Sequence, residues 1–452
     1  MINKLIDSIE NTDFNDELNV IDFRYPIYRY GYAGSGKTVL GLKALQKMAL
    51  QDKNVLFVCF NKVLATDIRR TINSSPKTTV ADIHQLIKLC MSDLQEPAFK
   101  VDEELEHVFN QQVDTIIRSG QFKQSFDFIV IDEAQDLKDY AWRLLNHLSK
   151  NGHNSMMVLV CKDQALYLPK ESIHLKNFAQ NALRLQLENG LKANHKRKNR
   201  IYRNKSAGFL FAQAFLSHYN DHSSAARLFF NNRRNEDPRF DFVRDEGNLP
   251  KIVKLTSKTR EKVKKIVKRA IEKCLHAAHV QKLDASSILV LVPNQSTFDS
   301  GNLYRDLAIE SIKELRQHFI DYTQEKNRRT EFKRDQVRVV PFHSSRGIES
   351  SFTIIIGFEH LVELSAKVCC NFQNLGYIIL SRAKTETYVF LDTTEKNEFA
   401  ARFTQYCESL YAEISPENNF IFTYPSIPTL ALPKAFGPLK AAGNIRIAKR
   451  SA

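Results

Sequence analysis

Apolar positions in the first third of the chain follow two rhythms. "IYRYGY" (27–32), "NVLFVCF" (54–60), "FDFIVIDEA" (126–134) and "MMVLVC" (156–161) are short, nearly unbroken runs. Runs of that length, rich in branched residues, are expected as strands buried on both faces. Between them, "TVLGLKALQKMALQ" (38–51) and "KVLATDIRR" (62–70) place apolar residues every three or four positions. That spacing predicts helices with one apolar face. Strands alternating with helices predict a parallel sheet covered by helices on both sides.

The rhythm breaks over 206–250, which closes on the turn-like "DEGNLP", and then resumes. "TREKVKKIVKRAIEKCLHAA" (259–278) predicts a long helix with a basic face. "SSILVLVP", "VRVVPF", "TIIIGF", "YIIL" and "TYVFLD" predict five more strands. The expected organisation is a first α/β lobe over 1–205, a second over 206–400, and a C-terminal helix with a basic tail over 401–452. No internal repeat or long low-complexity tract interrupts this plan.

The 452 residues suffice for two or three domains, and the 43% apolar share is ordinary for globular protein. No run approaches the roughly 18 apolar residues of a membrane span. The N-terminus is polar and acidic, without the apolar stretch of a secretory signal. Seven scattered cysteines contain no CxxC pair, so neither a zinc site nor a disulfide framework is expected. A reducing cytoplasm is the expected location. The net charge of +14 points to an anionic partner. "LKANHKRKNRIYRNK" holds seven Lys or Arg in fifteen residues, and "KTREKVKKIVKR" and "EKNRRTEFKR" are two further basic runs. A solvated helix face would account for each run, and so would contact with phosphates.

The chemistry begins at "GYAGSGKT", Gly31 to Thr38, which fits G-x-x-x-x-G-K-[ST] between a strand and a helix. Glycines let the backbone curl its N–H groups toward phosphate oxygens, and the helix N-terminus adds positive potential. Lys37 can reach the β- and γ-phosphates of a nucleoside triphosphate, and the Thr38 hydroxyl can ligate Mg²⁺. Roughly 95 residues later, Asp132 and Glu133 follow another buried strand. One acid there can serve the Mg²⁺ shell and the other can take the proton of an attacking water.

Together, "GYAGSGKT" and "IDEAQDL" resemble the superfamily 1 helicases, in the UvrD/Rep-like branch. Further stretches match in family order: "VLFVCFNKVLA", "ADIHQL", "QALY", "SILVLVPN", "HSSRGIES" and "YIILSRAK". The resemblance spans roughly residues 25 to 395. It implies two RecA-like P-loop lobes with parallel sheets and ATP with Mg²⁺ between them. Accessory insertions are reduced to short helices, because only about forty residues fill each gap where relatives insert a domain. By the same resemblance, Lys37, Asp132, Glu133, Gln164 and the arginine finger Arg382 are catalytic. Gly31, Ala33, Gly34, Ser35, Gly36, Lys37, Thr38, Gly347 and Glu349 would hold the nucleotide, and Thr38 and Asp132 the Mg²⁺. Phe60, Asn61, His84, Tyr167 and His343 would face single-stranded nucleic acid, DNA ahead of RNA.

The sequence departs from the pattern at identifiable points. No glutamine precedes Gln46, where relatives carry an adenine-reading one. Cys161 stands where an aspartate is usual, with Asp163 two residues on. Pro169 replaces a base-stacking tryptophan, and Arg346 replaces a lysine. The slot of a second arginine falls on Lys196, with Arg197 beside it. The expected function is a nucleic-acid-dependent ATPase acting as a single-strand DNA translocase or helicase. The alternative is an ATP-gated sensor controlling a partner such as a nuclease, in repair or anti-phage defence.

Overall fold

The computed structural model describes residues 11–424 apart from 73–75, 94–105, 121–124, 165–171, 192–193, 234–238, 244–246, 257–258, 294–298, 329, 368–369, 394–396 and 418–419. Its first sheet contains β1 (Ile27–Gly31), β2 (Val55–Cys59), β3 (Thr78–Asp82), β4 (Phe128–Asp132), β5 (Met156–Val160) and β6 (His195–Lys198). Their order across the sheet is β3-β2-β4-β5-β1-β6, and every pairing is parallel. Parallel strands end on one edge, so the loops after Gly31, Cys59, Asp132 and Val160 are brought together there. In open α/β sheets that carboxyl edge is where ligands bind.

Helices cover both faces. On one side, α1 (Asn11–Asn19), α2 (Lys37–Ala49) and α3 (Lys62–Thr71) bury Phe14, Leu40, Leu45, Ala65 and Ile68 against the sheet. On the other, α4 (Ile83–Asp93), α5 (Glu106–Ser119), α6 (Asp139–Leu148) and α7 (Ile173–Asn189) bury Leu86, Val113, Trp142 and Phe178. The strands β2, β4 and β5 are buried along their whole length, which is why their sequences read as unbroken apolar runs.

A two-stranded ribbon, β7 (Arg200–Ile201) with β8 (Asp241–Phe242), flanks the passage to the second lobe. The second sheet contains β9 (Lys251–Leu255), β10 (Ile288–Val292), β11 (His318–Asp321), β12 (Gln336–Pro341), β13 (Ser350–Ile356), β14 (Ala383–Asp392) and β15 (Ile421–Tyr424). It is also parallel, in the order β11-β12-β10-β13-β14-β9-β15. One face carries α10 (Arg260–Val280) and α11 (Asp299–Glu314). The other lies against α8 (Ser206–His218), α9 (His222–Arg233), α12 (Leu361–Lys367), α13 (Phe372–Leu380) and α14 (Glu398–Ile414). The molecule is α/β, with two RecA-like lobes built on parallel sheets.

Three details adjust the expected organisation. "YIIL" (377–380), expected as a strand, is the last turn of helix α13, because a short apolar run buried in a core reads the same in either state. The gap before β12 holds a helix and an edge strand, α11 and β11, rather than helices alone. The C-terminal helix does not stand apart from residue 401. α14 buries Phe403, Tyr406, Cys407 and Leu410 in the second lobe's core, and β15 pairs with β9 beyond it. A helix with so wide an apolar face needs that cover. The basic tail beyond residue 424 lies outside the described residues. Among the described residues, no helix is long and apolar enough to cross a membrane.

Candidate nucleotide site between the lobes

The phosphate loop leaves β1 and opens α2. Gly34 and Gly36 take φ of 75° and 77°, the left-handed region that turns successive N–H groups inward. Packing also requires these glycines. A Cβ on Gly36 would lie 2.5 Å from Cζ of Phe14, and one on Gly34 2.8 Å from Cβ of Arg203. Lys37 Nζ lies in the concave side of the loop, donating to the carbonyls of Gly31 at 3.0 Å and Tyr32 at 2.7 Å. Ser35 is fully buried, its hydroxyl donating to Tyr32 O at 2.8 Å, and Ala33 is buried beside it. Thr38 Oγ1 donates to Asp132 Oδ2 at 2.7 Å.

This donor set fits a triphosphate with a hard cation. It offers an ammonium, a curled run of N–H groups at a helix N-terminus, and a hydroxyl beside a carboxylate. Among the described residues no group of three or more His, Cys, Asp or Glu forms a ready-made metal cage. A Mg²⁺ held by Thr38 and Asp132 would therefore take its other ligands from phosphate and water, as Mg²⁺ commonly does.

Asp132 ends β4 almost fully buried, and its carboxyl is pushed up by burial and by the neighbouring Glu133. Glu133 adopts φ 54°, a left-handed conformation uncommon for a side-chain-bearing residue. Burial would raise its carboxyl, but Arg346 and Lys37 pull it below the usual range. Gln135 Nε2 donates to Glu133 Oε2 at 2.7 Å, while its Oε1 accepts from the Cys161 amide at 3.0 Å. With its amide nitrogen turned toward Glu133, Gln164 donates to Glu133 Oε1 at 3.2 Å and accepts from Arg382 Nη2 at 2.5 Å. Cys161 is buried and its thiol is pushed up to about 12 by burial, so it carries no charge here. Asp163 accepts from Gln213 of α8 at 3.2 Å.

The second lobe reaches this cluster through two loops. Arg382 follows α13 and is fully buried. Its Nε donates to Ile378 O at 2.6 Å and its Nη1 to Ile348 O at 3.1 Å. Burial and nearby Arg203 lower it to about 9, which leaves it cationic at neutral pH. The loop after β12 carries Arg346, whose Nη2 lies 3.2 Å from Glu133 Oε2 and whose Nη1 pairs with Asp136. Gly347 turns that loop at φ 71°, and a Cβ there would lie 2.7 Å from Leu64 of α3. Glu349 is ion-paired with Lys384 at 2.6 Å; burial would raise its carboxyl, while Lys384 and Arg203 lower it.

The residues expected to face nucleic acid lie along the adjoining rim. Phe60 packs at the edge of the first lobe's core and meets His84 edge-on at 5.6 Å. His84 also packs on Phe109 at 4.6 Å. Asn61 Oδ1 caps α3 by accepting from Val63 N at 2.9 Å. Its Nδ2 donates across the cleft to Ser344 O at 3.3 Å and to Arg346 O. His343 Nδ1 is buried without a hydrogen-bond partner, and burial lowers the ring to about 4, so it is neutral. Tyr167 and Pro169 lie outside the described residues.

From sequence, the second arginine's slot falls on Lys196, but that residue is exposed on the edge strand β6. Arg203 is the arginine that lies against the phosphate loop. It is buried, its Cβ abuts Gly34, and its Nη2 donates to Ser381 O at 3.3 Å beside Arg382. Asn204 Nδ2 adds bonds to Ser381 O at 2.9 Å and Ala383 O at 2.7 Å. The available signal was the Tyr-Arg pair at 202–203, hidden in a fifteen-residue stretch that holds seven Lys or Arg.

Fold and site define a two-lobed P-loop protein of helicase type. Residues 29–286 match the family model for Schlafen group 3, DNA/RNA helicase domain. That match covers more than half of the sequence, and the chain belongs to this family. Two solved structures are similar. One is the C-terminal domain of a possible DNA helicase from Lactobacillus plantarum WCFS1. It has 14% identity and a TM-score of 0.28, covering 49% of this chain and 98% of that one. The other is Arterivirus nonstructural protein 10, a helicase. It has 10% identity and a TM-score of 0.34, covering 85% of this chain and 64% of that one. A comparison with curated proteins gives no match.

Proposed function

We propose that the protein is an ATP hydrolase of the UvrD/Rep-like superfamily 1 type that translocates along single-stranded nucleic acid, DNA ahead of RNA. The observation that carries this is the position of the Gln164 amide, within hydrogen-bond reach of both Glu133 of the first lobe and Arg382 of the second. A hydrolytic site assembled from both lobes turns cleft closure into a condition for chemistry.

MgATP bound there would supply the scissile phosphoanhydride and a divalent charge to offset the phosphates. Lys37 and the N–H groups of the loop would hold the phosphate oxygens. Glu133 would orient the attacking water and take its proton. Gln164 would keep Glu133 and Arg382 in register, and Arg382, with Arg203 beside it, would stabilise charge on the transferred group. Phe60, Asn61, His84 and His343 would line the strand's path, with Tyr167 as a stacking residue. The division between lobes would fall at 205/206, a reading supported by α8, which begins there and packs on the second lobe.

A strand carrying a bound roadblock tests this. ATP-dependent clearance from one end, lost in Lys37→Ala, supports translocation. Clearance that needs no ATP contradicts it.

One observation favours a second reading, an ATP-gated sensor that controls an effector such as a nuclease, in repair or anti-phage defence. Cys161 puts an uncharged thiol at the aspartate's place, and Asp163 is committed to Gln213. Slow turnover combined with effector control that survives Glu133→Gln would support the sensor.

A further inference from the structure

Resting on the function proposed above, we infer that Arg346 is a positioning residue that keeps Glu133 occupied until single-stranded nucleic acid draws its loop away. Arg346 belongs to the second lobe, yet its guanidinium spans Glu133 and Asp136 of the first. All three side chains are buried. A guanidinium presents donors in a rigid fork, so one side chain can hold two carboxylates at once. While Glu133 Oε2 accepts from Arg346 and Gln135 together, that oxygen is poorly placed to take a proton from water. The pairing thus opposes the chemistry expected of Glu133.

The same loop touches the expected strand path. Asn61 Nδ2 bonds the carbonyls of Ser344 and Arg346, and Gly347 rests on Leu64. His343 begins this loop with a buried, unpartnered Nδ1. A strand entering between Asn61 and His343 would compete for the Asn61 amide and shift residues 343–347. Because Arg346 lies inside that segment, its movement withdraws the guanidinium from Glu133. The strand signal then needs no longer route than three residues of one loop.

Linkage supplies a test that needs no nucleotide. If strand binding has to break the Arg346 pairing, weakening that pairing must tighten strand binding by the same factor. Affinity for fluorescein-labelled oligothymidine would be measured on nucleotide-free protein. Glu133→Gln and Asp136→Asn are each expected to bind about five-fold tighter or more. Arg346→Lys, which keeps the charge without the fork, should fall between them and the unaltered protein. Asp163→Asn removes a half-buried acid that accepts from Gln213 and should bind like the unaltered protein. As a second readout, Arg346→Gln should raise strand-free ATP turnover toward the stimulated rate.

Unchanged or weaker binding in both Glu133→Gln and Asp136→Asn overturns the latch while leaving the functional proposal standing. Equal tightening by Asp163→Asn also overturns it, because general charge would then explain the effect. Unaltered protein that binds no oligonucleotide overturns the latch and the functional proposal together.

Discussion

Thr38 and Asp132 share a 2.7 Å hydrogen bond that ties the end of the phosphate loop to the end of β4. A hydroxyl and a carboxylate so joined suit one octahedral cation at short range. Replacing Thr38 with Val keeps the shape and removes the oxygen. Hydrolysis is expected to fall by about 10²-fold or more, with partial recovery at raised Mg²⁺. Turnover measured across a Mg²⁺ titration checks this.

Glu133→Gln keeps the size of the side chain and removes its negative charge and its basicity. Turnover should drop about 10²- to 10⁴-fold while nucleotide affinity stays close to that of the unaltered protein. Equilibrium binding of a fluorescent ATP analogue beside steady-state rates separates the two. Unchanged turnover would move the base elsewhere.

Arg382 donates to Ile378 O and Ile348 O inside the second lobe, so alanine there would strand buried carbonyls. Lysine is the cleaner probe, since it keeps charge and loses the fork. Arg382→Lys is expected to slow hydrolysis at least about 10-fold with little change in nucleotide affinity. A matched thermal melt shows whether the fold survived.

Glu17 of α1 is buried between Arg29, 2.9 Å away, and Lys198 of β6. Lys198 also lies on the ring of Phe14, which packs against Gly36 of the phosphate loop. Glu17→Gln leaves two buried cations uncompensated, at a cost of about 3 kcal/mol. Chemical denaturation should show the lower midpoint.

Glu359 is 4% exposed and accepts from the Tyr304 hydroxyl. Burial lifts its carboxyl to about 7, against an unfolded value of 4.5. Its contribution is fully present below the unfolded value and is lost as pH rises through about 7. The loss is at most about 3 kcal/mol. Melting temperature should fall between about pH 4.5 and pH 7 and level off above, and Glu359→Gln should flatten that slope.

The buried strands β2, β4, β5 and β10 were legible because apolar runs are what two-sided burial demands. The phosphate loop and Asp132–Glu133 were legible because their chemistry fixes residue types over short spans. β6 was not. "HKRK" has no apolar signal, and it becomes a strand only through pairing with β1 at the sheet's edge. β9, "KIVKL", hid behind its lysines, and β15 depends on β9 for its place. Arg203 and the Arg346–Glu133 contact are tertiary facts. Glu133 and Arg346 lie 213 positions apart, and nothing local to either residue marks the other as its partner.

The central claim is that a site closed by both lobes hydrolyses ATP under control of a single strand. Steady-state ATPase rates would be measured without polymer and with single-stranded DNA, duplex DNA and single-stranded RNA, at low and moderate salt. The expected result is strong stimulation by single-stranded DNA that fades as salt rises, since phosphate contacts are salt-sensitive. A rate that ignores every polymer at both salts would contradict the account.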